Sequence, residues 1–158
     1  MRHVSLYTCL PDADAAAVFD RISDFPRYAD YTDAVREVRI ESREDDRITS
    51  TWSVNFRNGV LCWTERDRID RQALHIEFEQ TAGDFTVFTG SWQVEQIDGN
   101  VAVLFTAAFD LGMPSLAAII DPIAERALLE NIQSILRGLL GDTVVFADDG
   151  EAELVAAR

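Results

Sequence analysis

The chain contains no lysine; all 14 of its basic residues are arginine. That excludes Schiff-base chemistry and the lysine of a phosphate-binding loop. Histidine is nearly absent: His3 and His75 are the two, and they show no metal-ligand spacing and no context for a Ser-His-Asp arrangement, so no metal site is expected. Cys9 and Cys62 both fall in strand-like runs and read as reduced packing residues rather than a disulfide. No apolar run reaches the ~18 residues of a membrane span. The N-terminal Met1-Arg2-His3-Val4 lacks the apolar core of a signal peptide. A cytoplasmic location without membrane insertion is therefore expected. Acidic residues number 28 and the net charge is −14, which argues against nucleic acid as a partner and against anionic lipid, and favours solubility.

What is present suits one folded domain. The 158 residues are 47% hydrophobic and 27% charged, enough for a sizeable core and too apolar for disorder. Residues 3–10 read as a strand. Asp12 is a candidate helix N-cap after Pro11, with a helix to about Ile22. Phe25 to Tyr31 reads as a second short helix with Pro26 in its first turn. A meander of strands follows: Val35–Glu41, Ile48–Phe56, Val60–Asp70, Leu74–Gln80, Phe85–Gln93 and Val101–Leu111. Asn58-Gly59 and Asp98-Gly99 mark hairpins, so the sheet should be antiparallel. Asp121-Pro122 predicts the start of a helix whose apolar positions, Ile123, Ala124, Ala127, Leu128, Ile132, Ile135, Leu136, Leu139 and Leu140, recur at helical spacing as far as Gly141. The domain is expected over 1–142, with an acidic, Ala-rich, disordered tail over 143–158. The predicted class is α+β: a curved antiparallel sheet of about seven strands around a long C-terminal helix, with two short helices after strand one. A gap between such a sheet and its helix is the natural ligand site.

Cys62-Trp63-Thr64-Glu65-Arg66 is the segment most suggestive of chemistry. Alternation puts Val60, Cys62, Thr64 and Arg66 on one face and Leu61, Trp63 and Glu65 on the other. If the first face is interior, it carries a permanent cation and a hydroxyl into apolar space, where an anionic ligand or intermediate would pair with it. The alternative is that Arg66, beside Asp67 and Arg68, points to water. Trp63, on the opposite face, then marks a dimer or carrier-protein contact or a partly covered surface aromatic.

This order of elements resembles the helix-grip fold of the START/Bet v 1-like superfamily over residues 3–141. Cys62-Trp63-Thr64-Glu65-Arg66 is similar to the aromatic-Val-Ser-x-Arg strand motif of bacterial polyketide aromatase/cyclases, with Cys62 in place of a pocket-facing tryptophan. Gly83-Asp84-Phe85, Ser91-Trp92 and Phe109-Asp110-Leu111 are similar to that branch as well. Ile22-Ser23-Asp24-Phe25-Pro26-Arg27-Tyr28 and the stretch from Phe105 to Ile120, with Met113-Pro114-Ser115-Leu116, resemble the coenzyme-Q-binding and ribosome-association-toxin branch. Tyr31 and Thr32 are nearest to a tyrosine that the cyclases carry after the second short helix, and Glu125 or Asn131 to a polar residue on the ligand side of the last helix.

The resemblance implies a cavity that folds a poly-β-keto or related hydrophobic intermediate and promotes intramolecular aldol cyclisation and dehydration. Arg66 would stabilise the developing enolate or alkoxide, Thr64 would hydrogen-bond a keto oxygen, and Tyr28 or Tyr31 would orient the chain. Trp52, Val54, Phe56, Cys62, Phe78, Phe88, Trp92, Phe105, Ala124, Leu128 and Asn131 would line the site, although plain core packing accounts for each aromatic singly. No general base is evident. The alternative is a non-catalytic binder or carrier of a quinone, lipid or polyketide, including a self-resistance protein; a ribosome-associated interaction module ranks last on charge. No cofactor is expected. The candidate partners are a hydrophobic small molecule or polyketide intermediate and an acyl carrier protein, for a monomer or homodimer.

Overall fold

The computed structural model describes residues 1–56, 59–112 and 120–147 in full and the backbone of 117–119. In chain order the elements are β1 (Arg2–Leu10), α1 (Ala15–Ser23), a 3-10 turn (Phe25–Arg27), α2 (Tyr28–Tyr31), β2 (Val35–Glu44), β3 (Arg47–Phe56), β4 (Gly59–Asp70), β5 (His75–Gly83), β6 (Val87–Ile97), β7 (Asn100–Asp110), α3 (Ala117–Leu140) and β8 (Val145–Ala147). The strands form one antiparallel sheet in the order β2-β3-β4-β5-β6-β7-β1-β8. The fold is α+β: a curved sheet closes around α3, with α1 and α2 as the short helices after the first strand.

Local chemistry explains most boundaries. At the Asp98-Gly99 turn Ile97 pairs with Asn100 and Asp98 takes a left-handed φ of 55°, which a short polar side chain tolerates. Phe56 pairs with Gly59 across the β3–β4 hairpin; Asn58 of the Asn58-Gly59 signal lies outside the described residues, as do Met113 to Leu116. Gly141 ends α3 at φ 96°, its N–H donating to the Arg137 carbonyl at 2.9 Å, the left-handed cap that glycine favours.

Strands β2, β5 and β6 run three or four residues past their expected ends, to Glu44, Gly83 and Ile97, and three further boundaries differ from expectation. The N-cap of α1 is Asp14, whose carboxylate accepts from the Ala17 N–H at 3.0 Å, whereas Asp12 sits at φ 52°. Helix α3 starts at Ala117, with Pro122 inside it; so near the start, a proline forfeits a single ladder hydrogen bond. The expected tail contributes structure: Val144 is buried and Val145–Ala147 pairs with β1, because Val144-Val145-Phe146 is an apolar triplet within an otherwise acidic stretch. Residues 148–158 lie outside the described part.

The C-terminal half of α3 is pinned by polar ties. Asn131 Nδ2 donates to the Asn55 carbonyl at 2.7 Å, Ser134 and Thr32 share a hydroxyl hydrogen bond of 2.8 Å, and Arg21 Nη1 donates to the Leu139 carbonyl at 2.8 Å. At Gly138 a Cβ would lie 2.2 Å from the Tyr31 carbonyl oxygen, so the helix rests backbone to backbone on α2. These ties set the height of α3 above the sheet and hence the space beneath it.

Candidate functional site

The site is built from the inner face of β4 outward. Trp63, Glu65, Asp67 and Ile69 are buried, while Cys62, Arg66 and Arg68 are exposed and Thr64 is half-buried. The face assignment expected from the cyclase motif is therefore inverted. Register makes the inversion unavoidable: Trp52, Ser50 and Ile48 of β3 pair with Trp63, Glu65 and Asp67, and cross-strand partners share a face. Arg66 lies on the outer side in an open groove with Arg47, Arg68, His75, Glu77 and Glu79, opposite Thr49 and Glu79 in the ladder. Thr64 Oγ1 meets Thr51 Oγ1 at 3.2 Å, and Cys62 Sγ meets Ser53 Oγ at 3.7 Å. Trp63, expected outside, is 8% exposed. Tyr31 is 47% exposed under the Arg27 guanidinium, 5.8 Å from its ring centroid. Arg66, Thr64, Cys62 and Tyr31 thus lie away from the cavity.

Between the sheet and α3 the side chains leave a cavity of about 60 Å³. That holds a few water molecules and is well below the few hundred cubic ångströms of a typical small-molecule site, so a large ligand has to part α3 from the sheet. Of the positions expected to line a ligand site, Tyr28, Trp52, Val54, Phe78, Phe88, Trp92, Phe105, Leu128 and Asn131 face the cavity. Phe56 packs at the core margin and Ala124 is buried one turn before Leu128; neither faces the cavity. Phe25, Ala34, Trp63, Glu65, Ile132 and Ile135 face it as well, and sequence reasoning missed them as lining. Helix α3 contributes Leu128, Asn131, Ile132 and Ile135, one stripe at i, i+3, i+4 and i+7.

The walls are an aromatic array. Trp52 and Trp63 stack with centroids 5.9 Å apart and planes 2° from parallel. Phe25 and Tyr28 abut Trp52 at 5.2 and 5.4 Å, Phe88 meets Trp63 edge-on at 5.3 Å, and Phe105 joins Phe78 to Trp92. Each such pair adds about 0.5–1.5 kcal/mol beyond its burial, so the cavity is framed by rigid rings. The Tyr28 hydroxyl is committed to the Ile22 carbonyl, which leaves its ring as the lining surface; burial, then the nearby Glu65 carboxyl, pushes that phenol well above its ordinary range.

Two carboxyls interrupt the aromatic wall. Glu65 is 4% exposed and Asp67 fully buried. The Trp63 indole N–H donates to Glu65 Oε1 at 2.7 Å. The Ser50 hydroxyl donates to Asp67 Oδ2 at 2.5 Å and itself accepts the Trp52 indole N–H at 2.8 Å. Asp67 Oδ1 is buried without a hydrogen-bond partner, and an unmet buried acceptor costs ~1–3 kcal/mol. Burial, then the hydrogen bond to Asp67, holds the Glu65 carboxyl well above the usual carboxylate range. Burial also raises Asp67, while hydrogen bonds from Glu65 and Ser50 oppose that rise. The charge of Asp67 adds to the rise at Glu65, as neighbouring carboxyls disfavour each other's ionisation.

The sequence matches the family described as polyketide cyclase / dehydrase and lipid transport over residues 11–136, and the chain belongs to that family. No curated protein matches the sequence. Among solved structures, a protein of Thermus thermophilus is similar at 22% identity and TM-score 0.78, over 99% of this chain and 98% of that one. An aromatase/cyclase of a Streptomyces species is similar at 19% identity and TM-score 0.76, over 90% of this chain and 93% of its own. A START superfamily protein of Mycobacterium smegmatis aligns at 16% identity and TM-score 0.75, over 87% and 96% of the two chains. At these identities the likeness is one of fold. Among the described residues no helix is long and apolar enough to cross a membrane.

Proposed function

We propose that this protein is a cyclase/dehydratase-type enzyme that folds an oxygenated hydrophobic chain between its sheet and α3 and promotes intramolecular aldol closure with loss of water. What carries this reading is a buried aromatic cavity with an acid, Glu65, on its wall. Rigid rings restrict the ways a flexible chain can fold, which is the larger part of a cyclase's task, and apolar walls keep water from hydrolysing or diverting the intermediate. The family membership supports the same reaction class. The second reading, a carrier that holds such a molecule without changing it, is favoured by the tightness of the cavity, which suits retention better than rapid exchange.

The two readings part in one experiment. Native mass spectrometry of freshly purified protein reports any retained small molecule. Incubation with a poly-β-ketone made in situ by a polyketide synthase, followed by product mass analysis, reports whether a single dehydrated ring product replaces the spontaneous mixture. A focused product supports the enzyme. A retained but unaltered ligand supports the carrier, and the absence of both outcomes would remove both readings.

A further inference from the structure

We propose that Glu65 and Asp67 act as a proton-sharing base in this cavity, and that the cavity accepts neutral carbonyl-bearing ligands and rejects anions. The proposal rests on the preceding reading that the cavity takes a ligand. Its basis is geometric. Glu65 faces the cavity, Asp67 lies behind it on the same side of β4, and among the described residues the cavity lining includes no arginine or histidine. The Trp63 and Ser50 donors fix one oxygen of each carboxyl, and Asp67 Oδ1 is buried without a hydrogen-bond partner; in the proposal Glu65 passes a proton between Asp67 and the cavity.

The charge balance follows. With one proton between them, the pair carries a single negative charge. A methylene beside a carbonyl loses its C–H proton to the pair, which becomes neutral as the enolate forms. The enolate carbon then attacks a second carbonyl of the same chain, making a C–C bond and an alkoxide, and the alkoxide takes the proton back. For dehydration the pair removes the remaining α-proton and returns it to the departing hydroxyl, which leaves as water. The cavity holds one negative charge at every stage, so no permanent cation is required. A ligand that is itself an anion adds a second charge with no counter-ion, a costly state in apolar surroundings. Glu65 is the catalytic residue in this scheme; Asp67 and Ser50 position its proton. The titratable group beside the pair is Tyr28, which also feels the exposed Asp24; from β5, β6, β7 and α3 the cavity is lined by Phe78, Phe88, Phe105 and Ile132, all uncharged.

The test uses the full chain with 2-tetralone, a neutral ketone with an acidic methylene, and tetralin-2-carboxylate, its anionic counterpart in shape. Calorimetry at neutral pH should give tetralone binding at least about tenfold tighter than the carboxylate, a difference of ~1.4 kcal/mol or more. Proton NMR in D2O should show the protein accelerating deuterium exchange at the tetralone methylene. Glu65→Gln should lose that acceleration, and Asp67→Asn should lower it at least about tenfold while letting the carboxylate bind. Arg66→Ala should leave both readouts unchanged. The wild-type preference needs no variant to fold. Equal binding of ketone and carboxylate, or bound ketone with no accelerated exchange, overturns the carboxyl-pair proposal and leaves the cavity as a ligand site. If neither compound binds, the cavity reading falls and the proposal falls with it.

Discussion

The two faces of strand β4 carry opposite chemistry within a few residues. Inside, Trp63, Glu65, Asp67 and Ile69 are buried; outside, Cys62, Arg66 and Arg68 meet solvent. Both faces hold ionisable groups, yet the carboxyls lie within and the guanidiniums without. The reason is what each group can do when water is withdrawn. A carboxyl can keep a proton, becoming a neutral donor and acceptor, and here Trp63, Ser50 and the neighbouring acid meet most of its hydrogen-bonding demand. A guanidinium cannot shed its charge in a protein. An interior without a fixed counter-charge therefore admits acids in preference to arginine.

The largest effect should come from the inner face. Trp63→Ala removes a ring that stacks on Trp52 and abuts Phe85 and Phe88. The expected loss is ~3–5 kcal/mol, read as a fall in the urea midpoint. A loss near zero would mean that the tryptophan faces outward, as the cyclase motif suggests. Gly83→Ala should come next. Gly83 sits at φ 148°, and an added Cβ would fall 2.4 Å from the Trp63 Cβ. Backbone strain alone costs about 1–3 kcal/mol, and the Trp63 indole, displaced with its strand, should show the change in near-ultraviolet dichroism.

The carboxyl pair separates the faces by pH. The folded-state pKa values of Glu65 and Asp67 are raised above their unfolded values, so in this range the native state binds more protons than the unfolded chain. By linkage, stability then falls as pH rises. The pair's contribution is full below the ordinary carboxylate range and declines from there up through the raised folded values. Glu65→Gln cannot ionise and should flatten this decline, measured as urea midpoints across the acid-to-neutral range. Because the exposed ion pairs contribute little each, a wild-type profile that instead climbs steadily to neutral pH would show the pair ionised at little cost.

Much of the fold was legible from period-two alternation and turn residues; the order of elements and most strand limits follow from them. The site was less so, for a physical reason visible at β3. Ile48, Ser50, Trp52, Val54 and Phe56 point inward, and a two-residue hairpin pairs even-numbered positions of β3 with odd-numbered positions of β4. Trp63, Glu65 and Asp67 are therefore assignable to the interior from the sequence pattern alone. The motif resemblance placed Arg66 inside instead, and a one-residue slip inverts a whole strand. Glu65 escaped notice as a base because acidic residues are seldom buried; its signal was the alternation of Trp63, Glu65, Asp67 and Ile69 against an apolar partner face. The start of α3 was hidden by Asp121-Pro122, which reads as a helix start although it lies within the helix. Strand β8 was hidden by the acidic composition around Val144 to Phe146.

The smallest effect should come from the outer face. Arg66 stands opposite Glu79 across the β4–β5 ladder, and an exposed cross-strand pair contributes roughly 0.2–1 kcal/mol. Arg66→Ala should therefore shift the urea midpoint by no more than about that amount and leave ligand binding in the cavity unaltered. Thr64→Val should behave alike, since its hydroxyl meets Thr51 at 3.2 Å on the same side. These two substitutions invert the expectation carried by the aromatic-Val-Ser-x-Arg motif, in which the same positions would hold the reacting oxygens. If Arg66→Ala abolished binding or turnover while the fold stayed intact, the guanidinium would have to reach the ligand, and β4 would have to turn its other face to α3. Retained activity in Arg66→Ala beside lost activity in Glu65→Gln would place the chemistry on the carboxyl side of the strand.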